Sequence, residues 1–405
     1  MKNKKKTTNI SEIGEFGLIQ KLQKKIKKNN NLIIKGVGDD SAVIKSQKDQ
    51  EILISTDILF EGIHFDTTYM SLSHIGYKSV VVNLSDIYAM NATPSQITIS
   101  LGISNKYSVE DIDDLYKGIN KAAENYKVNV AGGDTSGSYA GLVVSVTVIG
   151  FQNKKNIVYR DGAKKGDLIV VSGDLGSSFL GLKILQREKM VLSDHKIPKL
   201  AINEIENKLE EYKYLIQRQI KPEAKVAIIS YFKQKKIKPT SMIDISDGLS
   251  SDLNHICNSC GLGHQIIESK IPIHQQTKDA SIDFNIDHVS AALYGGEDYE
   301  LLFTISPQEK TVIDSMEGLS IIGEMTDDKN KRTLISPTGK KISINKNSGE
   351  GAGRLTLEFT NQPFRLRRWI VQDVAGVKTS VTLQNSVFGV PVANDEFRLP
   401  NYHQQ

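Results

Sequence analysis

Apolar and polar positions alternate along this chain in two recurring ways. Short apolar runs that close on Gly or Asp predict β-strands. Asn31–Val37 leads into GVGDD, Glu51–Ser55 into TD and Val128–Ala131 into GGDTSG, while the longer run Gly141–Phe151 has no such end. Between them, apolar residues recur every three to four positions over Ser73–Ala89 and Val109–Tyr126, which predicts helices. Residues 12–28 read as an amphipathic helix with a basic outer face. The turn-rich stretch RDGAKKGD (160–167) precedes a second alternation. It comprises a strand at Leu168–Ser172, a helix from Leu175 to Leu185, a polar stretch to about residue 215, a strand at Met242–Ile245 running into SDG, a helix at Leu249–Cys257 and a hairpin near 320–345. Strand and helix alternating on both sides of residue 160 predict an α/β (α+β) fold of two domains.

The last part of the chain follows another rule. RLTLEF, LRRWIV and TSVTLQN alternate apolar and polar residues, as antiparallel strands do. The basic residues invert there as well. Residues 1–350 hold 41 Lys and 4 Arg, and residues 351–405 hold 1 Lys and 5 Arg, together the 51 of the whole chain. The expected organisation is a disordered basic tail at 1–11, an N-terminal domain at 12–159, a C-terminal domain at 160–346 and a β-rich tail of separate origin at 347–405.

Composition narrows the function. At 405 residues and 39% hydrophobic, the chain can bury two cores. A net charge of +4 gives little support to a nucleic-acid or membrane partner. The lysines at positions 2, 4, 5 and 6 read as a solvated tail, and with no apolar signal segment the expected location is cytoplasmic. Cys257 and Cys260 form a lone C-x-x-C. This could be a redox pair or half a zinc site, but with no second such pair it reads as two thiols one turn apart on a helix.

The candidate chemistry lies in acidic residues expected on strand-terminal turns: Asp39 and Asp40, Asp57, Asp86, Asp134, Asp244 and Asp247, and Glu297 with Asp298. One Asp beside Gly is ordinary turn chemistry. A repeated set that converges must have cations between its members. Oxygen donors such as Ser55, Thr56 and Ser246, without His/Cys spacing for zinc, point to Mg²⁺ held together with phosphates. Glycines in GVGDD, GGDTSG, SDG and GGED let backbone N–H groups approach an anion. There is no G-x-x-x-x-G-K-[ST], no dinucleotide fingerprint and no protein-kinase signature. These residues together indicate phosphoryl transfer from ATP to a small phosphorylated acceptor.

The segments GEFGLI (14–19), GVGDDSAV (36–43), ISTDILFEGIHF (54–65), NLSDIYAMNATP (83–94), GGDTSG (132–137), RDGAKKGD (160–167), SGDLG (172–176), IDISDGLSSDL (243–253) and GGEDYELLF (295–303) carry a resemblance. Residues 12–346 resemble the thiamine-monophosphate kinase family, within the superfamily of aminoimidazole ribonucleotide synthetase and selenophosphate synthetase. The resemblance implies a two-domain aminoimidazole-ribonucleotide-synthetase-like fold, transfer from ATP to thiamine phosphate, and a homodimer whose N-terminal sheets close a barrel. It implies that Asp40, Ser55, Thr56, Asp57, Asp86, Asp134, Asp244 and Asp247 hold several Mg²⁺ ions. It implies that Gly133, Asp134, Arg160 and Ser246 contact ATP, and that His64 and Glu297 contact thiamine phosphate. No residue is assigned as a general base. His64 alone would read as structural, and Arg160 alone as either a phosphate fork or a surface ion pair. The match stops after Asn345–Lys346, before the family's closing aromatic segment, and neither Trp369 nor Tyr402 takes that role. The tail resembles the C-terminal strands of the outer-membrane lipoprotein carrier family. Competing expectations are another ATP-dependent synthetase of the superfamily, an inactive nucleotide-binding chain, or a lipoprotein-carrier-like chain.

Overall fold

The computed structural model describes residues 33–35, 39–46, 49–192, 210–337, 341–343, 354–361, 364–372 and 378–382. The expected helix at 12–28, the basic tail and the glycines of GVG lie outside these residues. Residues 28–345 form one compact unit. Its first sheet contains β1 (Ile33–Lys35), β2 (Ala42–Ile44), β3 (Gln50–Phe60), β4 (Thr93–Ile103), β5 (Asn129–Gly137) and β6 (Val143–Asn153), in the order β1-β2-β3-β6-β4-β5. Along β6, Val144, Val146 and Val148 are fully buried while the residues between them are not, which is the period-two pattern of a sheet with one face on a core.

That core face is covered by α1 (Leu72–Ala89) and α2 (Val109–Tyr126). Ser71 caps α1 by accepting from His74 N–H, and a Ser108–Asp111 capping box starts α2. The two helices approach through reciprocal glycines. A Cβ on Gly76 would lie 2.0 Å from the Leu115 carbonyl oxygen, and one on Gly118 would lie 1.8 Å from that of Ser73. Gly118→Ala is therefore expected to lower stability by about 1–3 kcal/mol through overpacking. Urea unfolding checks this: the midpoint should fall with the slope unchanged.

The second sheet contains β7 (Leu168–Ser172), β8 (Ser241–Asp244), β9 (Gly263–Ile267), β10 (Leu301–Ile305), β11 (Leu319–Thr326), β12 (Arg332–Ile335) and β13 (Lys341–Ser343), in the order β13-β12-β9-β11-β7-β10-β8. With it go α3 (Ser177–Leu192), α4 (Lys213–Ile220), α5 (Val226–Lys235), α6 (Leu249–Cys260), α7 (Gln275–Asp283), α8 (His288–Tyr294) and α9 (Lys310–Asp314). The hairpin expected near 320–345 is β12–β13 alone, because β11 pairs with β7 and β9. Cys257 and Cys260 are free thiols one turn apart on α6, and burial pushes the Cys257 thiol up to about 12. The alternating tail forms β14 (Arg354–Asn361), β15 (Phe364–Gln372) and β16 (Lys378–Thr382), an antiparallel three-stranded sheet in a separate unit. No helix among the described residues is long and apolar enough to cross a membrane.

Candidate active site

Several of the singled-out carboxylates sit within regular elements rather than on turns. Asp57 lies inside β3, because Thr56, Asp57 and Ile58 go on pairing with Thr147, Val146 and Ser145 of β6. Asp86 is helical, on α1, and Asp134 lies inside β5, since GGDTSG continues the ladder against β4. What converges is the seam between the two sheets' cores. Asp40 comes from the segment before β2, Asp86 from α1 and Asp244 from the end of β8. Each places one carboxylate oxygen within 4.8 Å of the other two.

The surroundings hold these groups in place. Ser55 Oγ donates to Asp86 Oδ2, and at 3.3 Å to the Asp40 carbonyl. Ser85 Oγ donates to Asp244 Oδ2 at 2.7 Å. Asp57 N–H donates to Asn83 Oδ1 at 2.9 Å, tying β3 to α1. Burial, then the charges of Asp244, Asp57 and Asp40, push the Asp86 carboxyl well above its ordinary range, with the Ser55 hydroxyl opposing them. Burial and the Asp40 charge push Asp244 up to about 7. Burial also raises Asp57, with His64 opposing. Burial and mutual repulsion thus oppose full ionisation of these carboxyls together, and positive charge between them would relieve it.

Arg160 supplies part of that charge. Its Nε and Nη2 donate to Asp40 Oδ2 and Oδ1 at 3.0 and 2.6 Å, a bidentate fork, and its backbone N–H donates to Asp39 at 3.3 Å. Asp39 still rises to about 6, through burial first and Asp40 second. Arg160 is thus neither a surface ion pair nor an unengaged fork: it is the counter-ion of the buried Asp40.

Beside the cluster opens a cleft of about 320 Å³, lined by Asp57, Asp86 and Asp244 and by His64, Lys78, Ser246, Asp247, Glu297 and Tyr299. His64 accepts from Phe60 N–H through Nδ1 at 3.0 Å, which fixes its ring at the end of β3. The GGEDYE segment lies along the loop after β8: Glu297 N–H donates to Ser246 O at 2.8 Å and Tyr299 N–H to Ile245 O at 2.9 Å. Glu297 and Tyr299 both take left-handed backbone, at φ 57° and 50°. Such backbone in a non-glycine residue persists only where its surroundings hold it. The hold comes from α4. Arg218 donates to the carbonyls of Asp174 and Asp298 at 3.1 and 3.2 Å and pairs with Glu300 at 2.9 Å, while Gln219 Nε2 donates to Glu297 at 2.8 Å.

The fold therefore brings together Asp40, Ser55, Asp57, His64, Asp86, Arg160, Asp244, Ser246, Asp247 and Glu297. It keeps three expected residues apart. The Thr56 side chain is on the opposite face of β3, bonded to Thr147 Oγ1 and the Val146 carbonyl at 2.9 and 3.2 Å. Gly133 and Asp134 lie on β5, an exposed edge strand three places from β3, on the order of 14 Å at normal strand spacing. Sequence reading missed Asn83, Lys78 and the α4 pair Arg218 and Gln219. α4 begins at the end of the polar stretch expected to about residue 215, and Arg218, one of only four Arg in a Lys-rich region, was a usable signal.

Comparison with known proteins gives a consistent set of relatives. The family models for AIR synthase related protein match at residues 38–152 (N-terminal domain) and 164–335 (C-terminal domain). The thiamine-monophosphate kinase of Buchnera aphidicola subsp. Schizaphis graminum is 40% identical over 296 residues, 73% of this chain and 84% of that protein. That of Bacillus subtilis is 33% identical over 302 residues, 74% and 86%. The solved structure of AaThiL complexed with AMPPCP and TMP superposes with a TM-score of 0.67 at 31% identity, covering 83% of this chain and 97% of that one.

Proposed function

We propose a reaction scheme from one premise: the chain belongs to the thiamine-monophosphate kinases of the AIR synthase related family. Its reaction is ATP-dependent phosphorylation of thiamine phosphate to thiamine diphosphate. The observation that supports placing this chemistry at the seam is the convergence of Asp40, Asp86 and Asp244 beside the cleft.

Mg²⁺ fits this donor set. The three carboxylates are hard oxygen donors, buried and mutually repelling, with Ser55 and Asp57 next to them. Asp40, Ser55, Asp57, Asp86, Asp244 and Asp247 would hold the ions, with Thr56 and Asp134 as the outlying members of the set that the resemblance implies. When bound, Mg²⁺ neutralises the phosphate oxygens that the reaction brings together. The chain's own residues do the rest. In this reading Ser246 on the cleft and Arg160, held on Asp40 beside the cluster, would meet the ATP phosphates, and His64 and Glu297 on the cleft would contact thiamine phosphate. No side chain has to take a proton. The acceptor's second pKa is ~6, so at neutral pH its phosphate is already a nucleophile. Positioning and charge neutralisation carry the catalysis.

Among the described residues, the first sheet has helices on one face only, and β5 has no strand at its outer edge, with every residue exposed. Both features support pairing of two chains through this sheet, and in that pairing Gly133 and Asp134 would join a site. The test of function is the purified chain with ATP, Mg²⁺ and thiamine phosphate. Thiamine diphosphate should form with one ADP per product, and its absence from both the full chain and residues 1–346 rejects the reading.

A further inference from the structure

Among the buried residues of α1 is a lysine. Lys78 is 1% exposed and heads the largest fully buried side chains among the described residues. Its Nζ donates to the Gln219 carbonyl at 3.1 Å and to Glu297 Oε2 at 3.3 Å. The same Oε2 accepts from Gln219 Nε2 at 2.8 Å, and Gln219 Oε1 accepts from Ser178 Oγ at 2.5 Å. Two elements of the fold, α1 and α4, thus converge on one oxygen of one glutamate, and the start of α3 holds the Gln219 amide that reaches it. The Glu297 side chain keeps 30% of its surface open, and the carboxylate cluster borders the same cleft.

Helix geometry gives this arrangement a further meaning. Lys78 and Asp86 are eight residues apart on α1, about 12 Å along its axis at the helical rise. α1 is buried along nearly its whole length and locked to α2 by glycine contacts, so this interval is rigid. Toward its C-terminus the helix carries Asp86 of the carboxylate cluster, and about two turns earlier Lys78 holds Glu297. In-line transfer between two phosphates needs this kind of fixed spacing.

We propose that Lys78 is a positioning residue for the acceptor: acting through Glu297, it sets the distance between the thiamine-phosphate end of the cleft and the Asp40–Asp86–Asp244 cluster. The inference rests on the reading that Glu297 contacts thiamine phosphate. A structural lysine would contribute to folding alone, whereas this one acts on the binding of one substrate of two. The acceptor has a cationic ring and an amine, and a carboxylate held in a fixed direction is its natural partner. Without Lys78, Glu297 keeps only Gln219 and gains freedom to turn toward solvent.

The experiment measures steady-state constants for both substrates in the full chain and in Lys78→Met, Glu297→Gln and the double variant. Lys78→Met should raise KM for thiamine phosphate about tenfold or more, with kcat and KM for ATP within about twofold of wild type. The double variant should be no worse than Glu297→Gln, because the lysine acts through the glutamate. Lys78→Arg should recover part of the loss. An unchanged KM for thiamine phosphate, equal rises for both substrates, or additive effects in the double variant each overturn the proposal. Should Lys78→Met not fold, Gln219→Met decides: a selective rise in KM for thiamine phosphate supports the proposal and an unchanged one overturns it. A wild-type chain without turnover fails the family reading and the inference together, whereas an active wild type with an indifferent Lys78→Met fails the inference alone.

Discussion

Asp244→Asn should yield a protein that is more stable without metal and nearly devoid of activity. Asp244 is buried and shares its site with Asp40 and Asp86. Burial first and the Asp40 charge second push its carboxyl up to about 7 in the folded chain, against an ordinary value of 3.8. Between these values the folded chain keeps a proton that the unfolded chain has released, so stability falls as pH rises from about 4 to 7. Asn keeps the acceptor for Ser85 Oγ and removes the charge. In chelator at pH 8 the variant should exceed wild type by on the order of a few kcal/mol, and near pH 4 the two should coincide. Turnover should drop by roughly three orders of magnitude or more, because the cluster loses a donor it needs when loaded. Thermal melts at both pH values, with and without Mg²⁺, and an assay for thiamine diphosphate check both parts. A variant less stable than wild type at pH 8 in chelator would show that Asp244 is held by favourable contacts instead.

Arg160→Met should have the opposite effect on stability and the same effect on activity. The guanidinium is the bidentate partner of the buried Asp40 and lies within 3.9 Å of Asp39. Removing it leaves two buried carboxylates without their main counter-ion, at a cost of about 3–5 kcal/mol. Mg²⁺ should restore part of that loss, since Asp40 can then be neutralised from the other side. Thermal melts against Mg²⁺ concentration read this directly: the variant's midpoint should rise more steeply than wild type's. KM for ATP should rise roughly a hundredfold, and Arg160→Lys should not rescue it, because a lysine cannot make the fork. A melting curve insensitive to Mg²⁺ in the variant would break the link between Arg160 and the cluster.

The contrast between these two variants shows what could be read from the sequence. The amphipathic helix at Val109–Tyr126, the mostly apolar helix at Ser73–Ala89 and the short apolar strand Leu168–Ser172 stand within a residue of their expected ends. The Asp residues next to glycine were legible as chemistry because their spacing and neighbours are unusual. Asp57 and Asp134 were misplaced onto turns for a physical reason: Gly and Asp disfavour strands locally, yet pairing with β6 and β4 carries both ladders through them. That Asp40 and Asp86 meet Asp244 depends on long-range packing of the two halves, which no local pattern encodes. Lys78 was invisible for a similar reason. On a helix in a chain with so many lysines it reads as surface, and only its burial shows otherwise.

Left-handed backbone at Glu297 and Tyr299 has a consequence for the mutational tolerance of this segment. At most cleft positions the chemistry of the side chain decides which replacements survive. At these two the main chain decides first, because a β-branched residue meets a steric penalty there before it touches any ligand. A saturation library at 297 and 299 sorted for folding alone would be enriched in Gly, Asn and Asp. Directed evolution of acceptor specificity would therefore find its freedom elsewhere, in the helix and strand positions that face the same cleft.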